Sequence, residues 1–339
     1  MPFPKSSTSE TVRSAPAWLS RVSAALAPLS FLVLLALVLS FTSPNFATRD
    51  NIKEIAVQAA VVAILACGQT AVIISGNIDL SVGAAMALAG VAAAEAMQRP
   101  GMGAIGGVLV ACATGLGGGL LTGLMTSYGG IPSFIVTLGM MGILHGAAGI
   151  ISHSVDIGNL PQGFQVFGFG ELFGSPSRDG IPYAVLITVA AAIAVHIALS
   201  RTAWGRSLYA IGGNLEAARL SGVRLTRSIT SVFALSGLLA GVAAVVNVSR
   251  ASVASKDAGI GYELDAIAAT VVGGTSLFGG QGGIGGTIIG AVLIYTIRNG
   301  CALRSLGPDY QQAIIGAVVI LAVLYDKYGP GRRAQQRRA

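Results

Sequence analysis

The chain has 339 residues, of which 53% are hydrophobic and only 10% are charged, and its formal net charge is +7. The mean hydropathy is +0.74. A soluble domain usually has about 25% charged residues, so this composition excludes an ordinary soluble protein. The charged residues also avoid long stretches, the longest of which is 100–155. The predicted fold class is therefore an all-α, polytopic transmembrane helical bundle of about eight to ten helices.

Ten apolar segments are predicted to be helices, because a membrane span needs about 20 apolar residues. Their predicted bounds are 22–41, 52–75, 80–97, 103–126, 132–152, 181–200, 228–250, 263–278, 284–299 and 310–326. The first segment is interpreted as an uncleaved helix rather than a secretory signal. These bounds define an N-terminal tail at 1–21, a transmembrane domain at 22–326 and a basic C-terminal tail at 327–339.

Three of these segments are short or broken by glycine. The third contains Gly83 and Gly90, and a glycine-rich run at 278–286 separates the eighth segment from the ninth. Irregular backbone at membrane depth persists only where protein or a water-filled cavity satisfies it. We therefore expect these elements to line or flank a path through the bundle. Two topologies remain open: about ten spans, or eight spans and a hairpin of two half-helices.

The basic residues predict the orientation of the chain. With the N-terminus inside, 13 lysines and arginines lie on the cytoplasmic side and 8 lie outside, as the positive-inside rule requires. This orientation places both tails and the polar segment 201–227 in the cytoplasm. The longest external loop is then 152–180, and its four phenylalanines predict that it is folded.

A short amphipathic helix is predicted within the segment 201–227. Asn214 is suited to the N-cap, and Gly222 to the position that ends the helix. Leu215, Ala218 and Leu220 give the helix an apolar side. A short helix between spans cannot bury that side against itself, so we expect it to bind in a groove on another protein.

The run Gly212-Gly-Asn-Leu-Glu-Ala-Ala-Arg-Leu-Ser-Gly-Val223 resembles the cytoplasmic coupling segment of ribose-type sugar ABC transporter permeases. Three other stretches are similar to the same family, and together they extend the resemblance over nearly all of 50–326. They are Asn77-Ile-Asp-Leu-Ser81, Gly130-Ile-Pro-Ser-Phe-Ile-Val-Thr-Leu-Gly139, and Glu263–Ser276 followed by Gly286–Ile294. In the first, Asn77 separates Gly76 from Ile78, which departs from the family wording.

The resemblance implies a permease subunit of the bacterial inner membrane that imports a monosaccharide such as ribose, or a related polyol, by alternating access. It also implies three partners: a separate ABC ATPase that binds ATP and Mg, a periplasmic sugar-binding protein, and a second copy of this or a related permease. The loop 152–180 either docks the binding protein or seals the outer face. The residues expected to contact the ATPase are Gly213, Asn214, Glu216, Ala217, Ala218, Arg219 and Gly222.

A weakly polar path is expected, because the permease would receive the sugar from the binding protein without binding it tightly. The candidate path residues are Gln58, Gln69, Asn77, Asp79, Asn247 and Asn299. Each amide is equally suited to an interhelical hydrogen bond. The alternative role for Asp79, or for Ser81, is to cap the helix that follows.

The sequence shows no pattern for catalysis or cofactor binding. None of its four lysines completes a phosphate-binding loop, and Gly280–Gly285 matches a dinucleotide fingerprint without the strand and helix that it needs. The three histidines lack metal-ligand spacing. Cys67, Cys112 and Cys301 are interpreted as small buried hydrophobes. We expect no cofactor, metal or nucleic acid on this chain, and no enzymatic activity.

Two other transport functions remain as alternatives. The first is a branched-chain amino-acid ABC permease, but the coupling segment of that class has a different sequence, and the run that begins at Gly212 favours sugars. A stand-alone secondary transporter or channel would need functional charges inside the membrane, and 100–155 and 266–297 contain none.

Overall fold

The computed structural model describes residues 17–174 and 180–328, and within them it contains thirteen helices and one two-stranded hairpin. The helices are α1 (Ala17–Thr42), α2 (Arg49–Ile74), α3 (Val82–Met97), α4 (Ala104–Ser127), α5 (Ser133–Ile151), α6 (Gln162–Phe169), α7 (Tyr183–Arg201), α8 (Ala203–Gly213), α9 (Leu215–Leu220), α10 (Leu225–Ala251), α11 (Tyr262–Val272), α12 (Ile284–Ala302) and α13 (Pro308–Tyr328). Strands β1 (Glu171–Leu172) and β2 (Ile181–Pro182) pair antiparallel. Most of the predicted N-terminal tail, most of the basic C-terminal tail and Arg178 lie outside the described residues.

Each of the ten predicted segments corresponds to one helix, which confirms the all-α class. In the described part of the chain, α2, α4, α5, α7, α10 and α12 are long and apolar enough to cross a membrane. The apolar stretches of α1, α3 and α13 are shorter. The stretches without charged residues therefore located the helices to within a few residues, except at the C-terminal end of the eighth segment.

The prediction for the eighth segment is wrong at its C-terminal end. Helix α11 stops at Val272, and residues 273–283 form a glycine-rich turn instead of helix. With 11 residues at a rise of 1.5 Å, α11 is about 16 Å long, whereas the 19 residues of α12 extend about 28 Å. The pair is therefore one half-length and one full-length helix rather than two half-helices.

Helix α2 forms the centre of the bundle. Every residue from 59 to 74 is buried, and α2 packs against α7, α10, α11 and α12. Behind it, α10 packs against α4 through facing glycines. A Cβ atom at Gly119 would lie 2.2 Å from the carbonyl oxygen of Phe233, so the two backbones are in direct contact. Small residues at an interface allow this close helix approach.

The two ends of α2 contact different parts of the chain. Near its first turn, Lys53 forms an ion pair with Glu171 of the long loop. At its last residue, the carbonyl oxygen of Ile74 accepts a hydrogen bond of 2.9 Å from the N–H of Gly280. The 26 residues of α2 separate these ends by about 39 Å. The loop 152–180 and the segment 201–227 therefore lie at opposite ends of the bundle, as the predicted topology requires.

The described part of the long loop, 152–174 and 180, is folded, as its phenylalanines predicted. Phe164 on α6 is fully buried, and the hydroxyl of Ser249 on α10 holds α6 by accepting from Gly168 N–H and donating to the Phe164 carbonyl, each at 2.7 Å. The ion pair with Lys53 and the N–H of Gly180 lower the pKa of Glu171. Two phenylalanines remain outside this packing, since Phe169 is 61% exposed and Phe173 is 80% exposed.

Candidate functional site

The predicted cytoplasmic helix is present as α9, with the predicted caps. The Asn214 side chain accepts a hydrogen bond of 2.9 Å from Ala217 N–H. At the other end, Gly222 N–H donates to the Arg219 carbonyl and Val223 N–H to the Ala218 carbonyl. Gly222 has a φ of +81°, a conformation that glycine adopts without strain. This double hydrogen bond is a Schellman motif, so both ends of the six-residue helix are fixed.

The apolar side predicted for α9 is divided between two directions. Ala218 is 3% exposed, because it packs against the rest of the chain, whereas Leu215 and Leu220 are 53% and 79% exposed. Between them Glu216 and Arg219 form an exposed ion pair of 2.9 Å. Two large apolar side chains and a charged pair thus share one outward surface, which we call the α9 surface.

Helix α8, which precedes this surface, was not predicted. The Thr202 hydroxyl caps it by accepting from Gly205 N–H at 3.1 Å. Leu208 and Ile211 are buried, and the indole N–H of Trp204 donates to the Ser231 hydroxyl of α10 at 2.7 Å. Helix α8 therefore attaches α9 firmly to the bundle.

The end of α8 lies directly on α2 and on the turn 273–283. A Cβ atom at Gly212 would lie 1.9 Å from the Ile74 carbonyl oxygen and 2.6 Å from the Gly280 nitrogen, so only glycine fits. The Tyr209 hydroxyl also donates to the carbonyl of Gly282 at 2.9 Å. Because the contacts of Gly212 are with backbone atoms, we expect a displacement of α8 to displace also the turn between α11 and α12.

Three buried threonines connect both helices of that pair to α2. The hydroxyl of Thr70 on α2 lies 2.6 Å from that of Thr287 on α12 and 3.4 Å from that of Thr270 on α11. All three side chains are fully buried. Interhelical hydrogen bonds of this kind contribute about 1 kcal/mol or less each inside a membrane. The threonines therefore fix the register of α11 and α12 on the central helix.

The six candidate path residues do not come together; the structure separates them into two groups of three. Gln69, Asn77 and Asp79 lie towards the end that carries α8. Gln69 is fully buried. Its amide oxygen accepts from the backbone N–H of Asp79 and its amide nitrogen donates to the Asp79 carbonyl, each at 3.3 Å, in the amide orientation that satisfies both atoms. The amide of Asn77 donates to the carbonyl and the hydroxyl of Ser75.

Asp79 bonds to α10 as well as to its own segment. One carboxylate oxygen accepts from the N–H and the hydroxyl of Ser81, and the other accepts from the Ser236 hydroxyl of α10 at 2.9 Å. Ser81 is the N-cap residue of α3, as one of the two alternatives predicted, but its side chain accepts no capping hydrogen bond, and its hydroxyl donates to Asp79. This group holds the irregular segment 75–81 inside the protein.

Gln58, Asn247 and Asn299 lie towards the opposite end. Asn299 exchanges two hydrogen bonds with Asn51, of 2.7 and 3.0 Å, which join α12 to α2. Asn247 accepts from the Tyr262 hydroxyl at 3.5 Å. Gln58 donates to Glu54, which also forms an ion pair with Arg250 of α10. Gln58 and Asn299 line one cavity.

This cavity, which we call the outer cavity, has a volume of about 330 Å³ and lies between α2, α11, α12 and α13. Its polar lining includes Tyr262, Asp265, Tyr295, Arg298 and Gln311. One nitrogen of Arg298, Nη2, donates to both oxygens of Asp265 at 2.7 Å. Asp265, in the first turn of α11, thus forms an ion pair with α12, and the lining of the cavity is largely polar.

The ion pair leaves part of the Arg298 guanidinium without a protein partner. Within the described residues, Nε is buried with no hydrogen bond, and Nη2 alone contacts Asp265. Burying an unsatisfied donor costs about 1–3 kcal/mol, and more for a charged group. Such a cost is typical of functional positions. Sequence reasoning missed this pair, because 33 residues separate its partners.

A metal site is not evident in the described ranges. Within 17–174 and 180–328, no group of three or more histidine, cysteine, aspartate or glutamate side chains is arranged to hold a metal ion.

Apolar spans packed around a half-length helix and a segment of irregular backbone are features of a membrane permease, because non-helical backbone at this depth lines or flanks a cavity. Comparison with known proteins agrees with this class. The chain belongs to the family described as branched-chain amino acid transport system, permease component, which matches residues 51–323. It is a multi-pass membrane protein and a transport subunit.

Curated relatives with sugar-specific names confirm the resemblance to ribose-type permeases. The ribose import permease protein of Escherichia coli K12 is 40% identical over 299 residues, which are 88% of this chain and 92% of the relative. The D-allose transport system permease protein of the same organism is 37% identical, over 87% and 89% of the two chains. Its L-arabinose transport system permease protein is 34% identical, over 84% and 85%. No solved structure matches.

Proposed function

We propose that this chain is the membrane-spanning subunit of a bacterial inner-membrane ABC importer for a monosaccharide. A separate ATPase hydrolyses ATP, and the permease alternates between outward-open and inward-open states. The observation that carries the proposal is the α9 surface: a helix capped at both ends that presents Leu215 and Leu220 to the exterior of the subunit. A groove on the ATPase would bury these leucines, and the contact of Gly212 with the turn 273–283 would pass the motion to α11 and α12.

The substrate class is supported by the relatives. Those compared above carry ribose, allose and arabinose in their names, and all three are neutral monosaccharides. The family description alone would favour a branched-chain amino acid. Identities of 34–40% over most of both chains favour the sugar class instead, as the wording of the coupling segment predicted.

The proposed assembly has further partners. A periplasmic sugar-binding protein would dock on the loop 152–180, where Phe169 and Phe173 are exposed. A second copy of this permease, or a related one, would complete the channel. Both termini and the segment 201–227 would face the cytoplasm. ATP and Mg would bind only to the ATPase.

The test is ATP-dependent uptake of radiolabelled D-ribose, D-allose and L-arabinose by proteoliposomes that contain the permease, its ATPase and its binding protein. Wild type should import at least one of the three. Glu216→Lys should abolish uptake and binding of the ATPase, because it reverses the charge of the α9 surface. The amount of membrane-inserted permease should stay unchanged.

The double variant Glu216→Lys with Arg219→Glu separates partner recognition from helix stability. It keeps an oppositely charged pair three residues apart, which supports the helix, but it exchanges the charges that the partner meets. If the ATPase recognises the positions of the two charges on the α9 surface, the double variant should also lose uptake. Uptake restored to the wild-type rate would show that Glu216 only stabilises α9, and normal uptake by the single variant would contradict the coupling role.

A further inference from the structure

We propose that the outer cavity is a binding site for one neutral monosaccharide, with Arg298 and Asp265 as the groups that hold its hydroxyls. The proposal rests on the proposed function, since it assigns to the permease itself a site for the transported sugar. No part of the sequence resemblance assigned a role to either residue. Together they join α11 to α12 beside the cavity, at the end of the bundle opposite to α9.

The size of the outer cavity limits the ligand. Its volume of about 330 Å³ lies at the lower end of the roughly 300–1,000 Å³ found for small-molecule sites. The walls come from four helices, and the cavity opens to the exterior rather than being enclosed. One sugar ring fits such a volume, whereas an oligosaccharide does not.

The charges around the cavity favour a neutral ligand over an amino acid. Asp265 neutralises Arg298, and Glu54, which contacts Gln58 of the lining, is paired with Arg250. An amino acid would bring an ammonium and a carboxylate group, and each of them needs an opposite charge when it leaves water. In the described lining every charge already has its partner. A branched side chain would also need an apolar wall, whereas only Ile260 and Ala302 of the lining are aliphatic.

The ion pair offers the hydrogen bonds that adjacent sugar hydroxyls need. Arg298 contacts Asp265 through Nη2 alone, so its Nη1 remains a donor without a partner among the described residues. Each Asp265 oxygen can accept a further hydrogen bond. A donor and an acceptor side by side match two neighbouring hydroxyls, one accepting and one donating. The Tyr295 ring, whose centroid lies 5.9 Å from the Arg298 guanidinium carbon, supplies an aromatic surface for the C–H groups of the sugar.

Neighbouring glutamines on α13 provide a matched pair of variants. Gln311 lines the cavity and is partly buried, whereas Gln312 is exposed and does not line it. The permease would be purified into lipid nanodiscs without the ATPase or the binding protein. Saturation-transfer NMR would then measure binding of D-ribose, D-allose and L-arabinose, with L-leucine as the comparison ligand.

We expect saturation transfer to at least one sugar, competition between sugars, and none to L-leucine. Gln311→Ala should raise the Kd of the sugar about tenfold, the change expected when one hydrogen bond is lost. Gln312→Ala should leave the Kd unchanged. The double variant Arg298→Gln with Asp265→Asn keeps a hydrogen-bonding pair without buried charge. It should abolish detectable binding, and its thermal unfolding midpoint would show that the fold persists.

The outcomes distinguish this site from the proposed function. If the complete transporter imports a sugar that the isolated permease does not bind, the site is overturned and the function stands. The same holds if both glutamine variants weaken binding equally. If the isolated permease binds sugar through this cavity but the complete transporter imports none, the proposed function fails. Binding and import of L-leucine in place of sugars would overturn both.

Discussion

At Gly212 the backbone of α8 touches the end of α2 so closely that no side chain fits between them. A Cβ atom there would lie 1.9 Å from the Ile74 carbonyl oxygen, whereas one at the neighbouring Gly213 would meet nothing within 4 Å. We predict that Gly212→Ala lowers the thermal unfolding midpoint of the purified permease, because overpacking typically costs about 1–3 kcal/mol.

Gly213→Ala is the matched control for stability, since it adds the same methyl group where there is space. Its midpoint should stay near that of the wild type. Equal midpoints for both variants would show that the contact between α8 and α2 yields without cost. That result would also remove the rigid connection between the α9 surface and the turn 273–283.

Interactions between residues close in the sequence were predictable, whereas interactions between residues far apart in the sequence were not. Asn214 and Gly222 were predicted as the ends of α9, because caps depend on residues within one turn. The pairing of Asp265 with Arg298 was missed, and so was that of Glu54 with Arg250. These partners lie 33 and 196 residues apart, so only the packing of the helices brings them together.

At the scale of elements, the loop 152–180 combines a buried aromatic side chain with an exposed one. Phe164 is fully buried, whereas Phe173 is 80% exposed. We predict that Phe164→Ala destabilises the protein by about 3–5 kcal/mol, as expected for a core phenylalanine. Phe173→Ala should change stability by no more than about 0.5 kcal/mol but weaken docking of the binding protein. Denaturation midpoints and the Kd for the binding protein would measure these effects.

Each phenylalanine variant is the control for the other. If Phe173→Ala binds the binding protein as the wild type does, the exposed part of the loop is not the docking surface, and sealing of the outer face becomes the better interpretation. A mild effect of Phe164→Ala would show that Ser249 and the other contacts hold α6 without the aromatic anchor.

The elements that sequence reasoning missed are short or lie outside the apolar segments. The search for long charge-free stretches could not find α8, which contains Arg206. Its buried positions Leu208 and Ile211, together with Trp204, nevertheless follow helical spacing, and Thr202 is a suitable N-cap. That pattern was the available signal. The early end of α11 also had a signal, because Gly273 and Gly274 directly follow Val272 and glycine commonly ends a helix. The search for charge-free stretches passed over it, since no charged residue follows.

For the whole molecule, the separation of the loop 152–180 from the segment 201–227 predicts labelling on opposite sides of the membrane. In a background without Cys67, Cys112 and Cys301, Phe173→Cys and Ser221→Cys would each place one exposed thiol. A maleimide that cannot cross membranes should label the first in intact spheroplasts, and the second only after permeabilisation. Expression without the ATPase keeps position 221 accessible.

The reverse labelling pattern would invert the predicted orientation and place the α9 surface away from any cytoplasmic ATPase. Labelling of both positions in intact cells would contradict the separation by α2. The arrangement of opposite ends was predictable from charge counts, because basic residues concentrate in a few connections. The division of the path candidates between those ends was not predictable, because it depends on how the spans pack around α2.

The exposed leucines of α9 also bear on the fate of a subunit made in excess. In the proposed orientation, Leu215 and Leu220 would present apolar surface to the cytosol until the ATPase covers them, and chaperones and membrane proteases recognise such patches. Unassembled copies should therefore be degraded faster than assembled ones. The cellular abundance of this protein would then follow the supply of its ATPase rather than its own rate of synthesis.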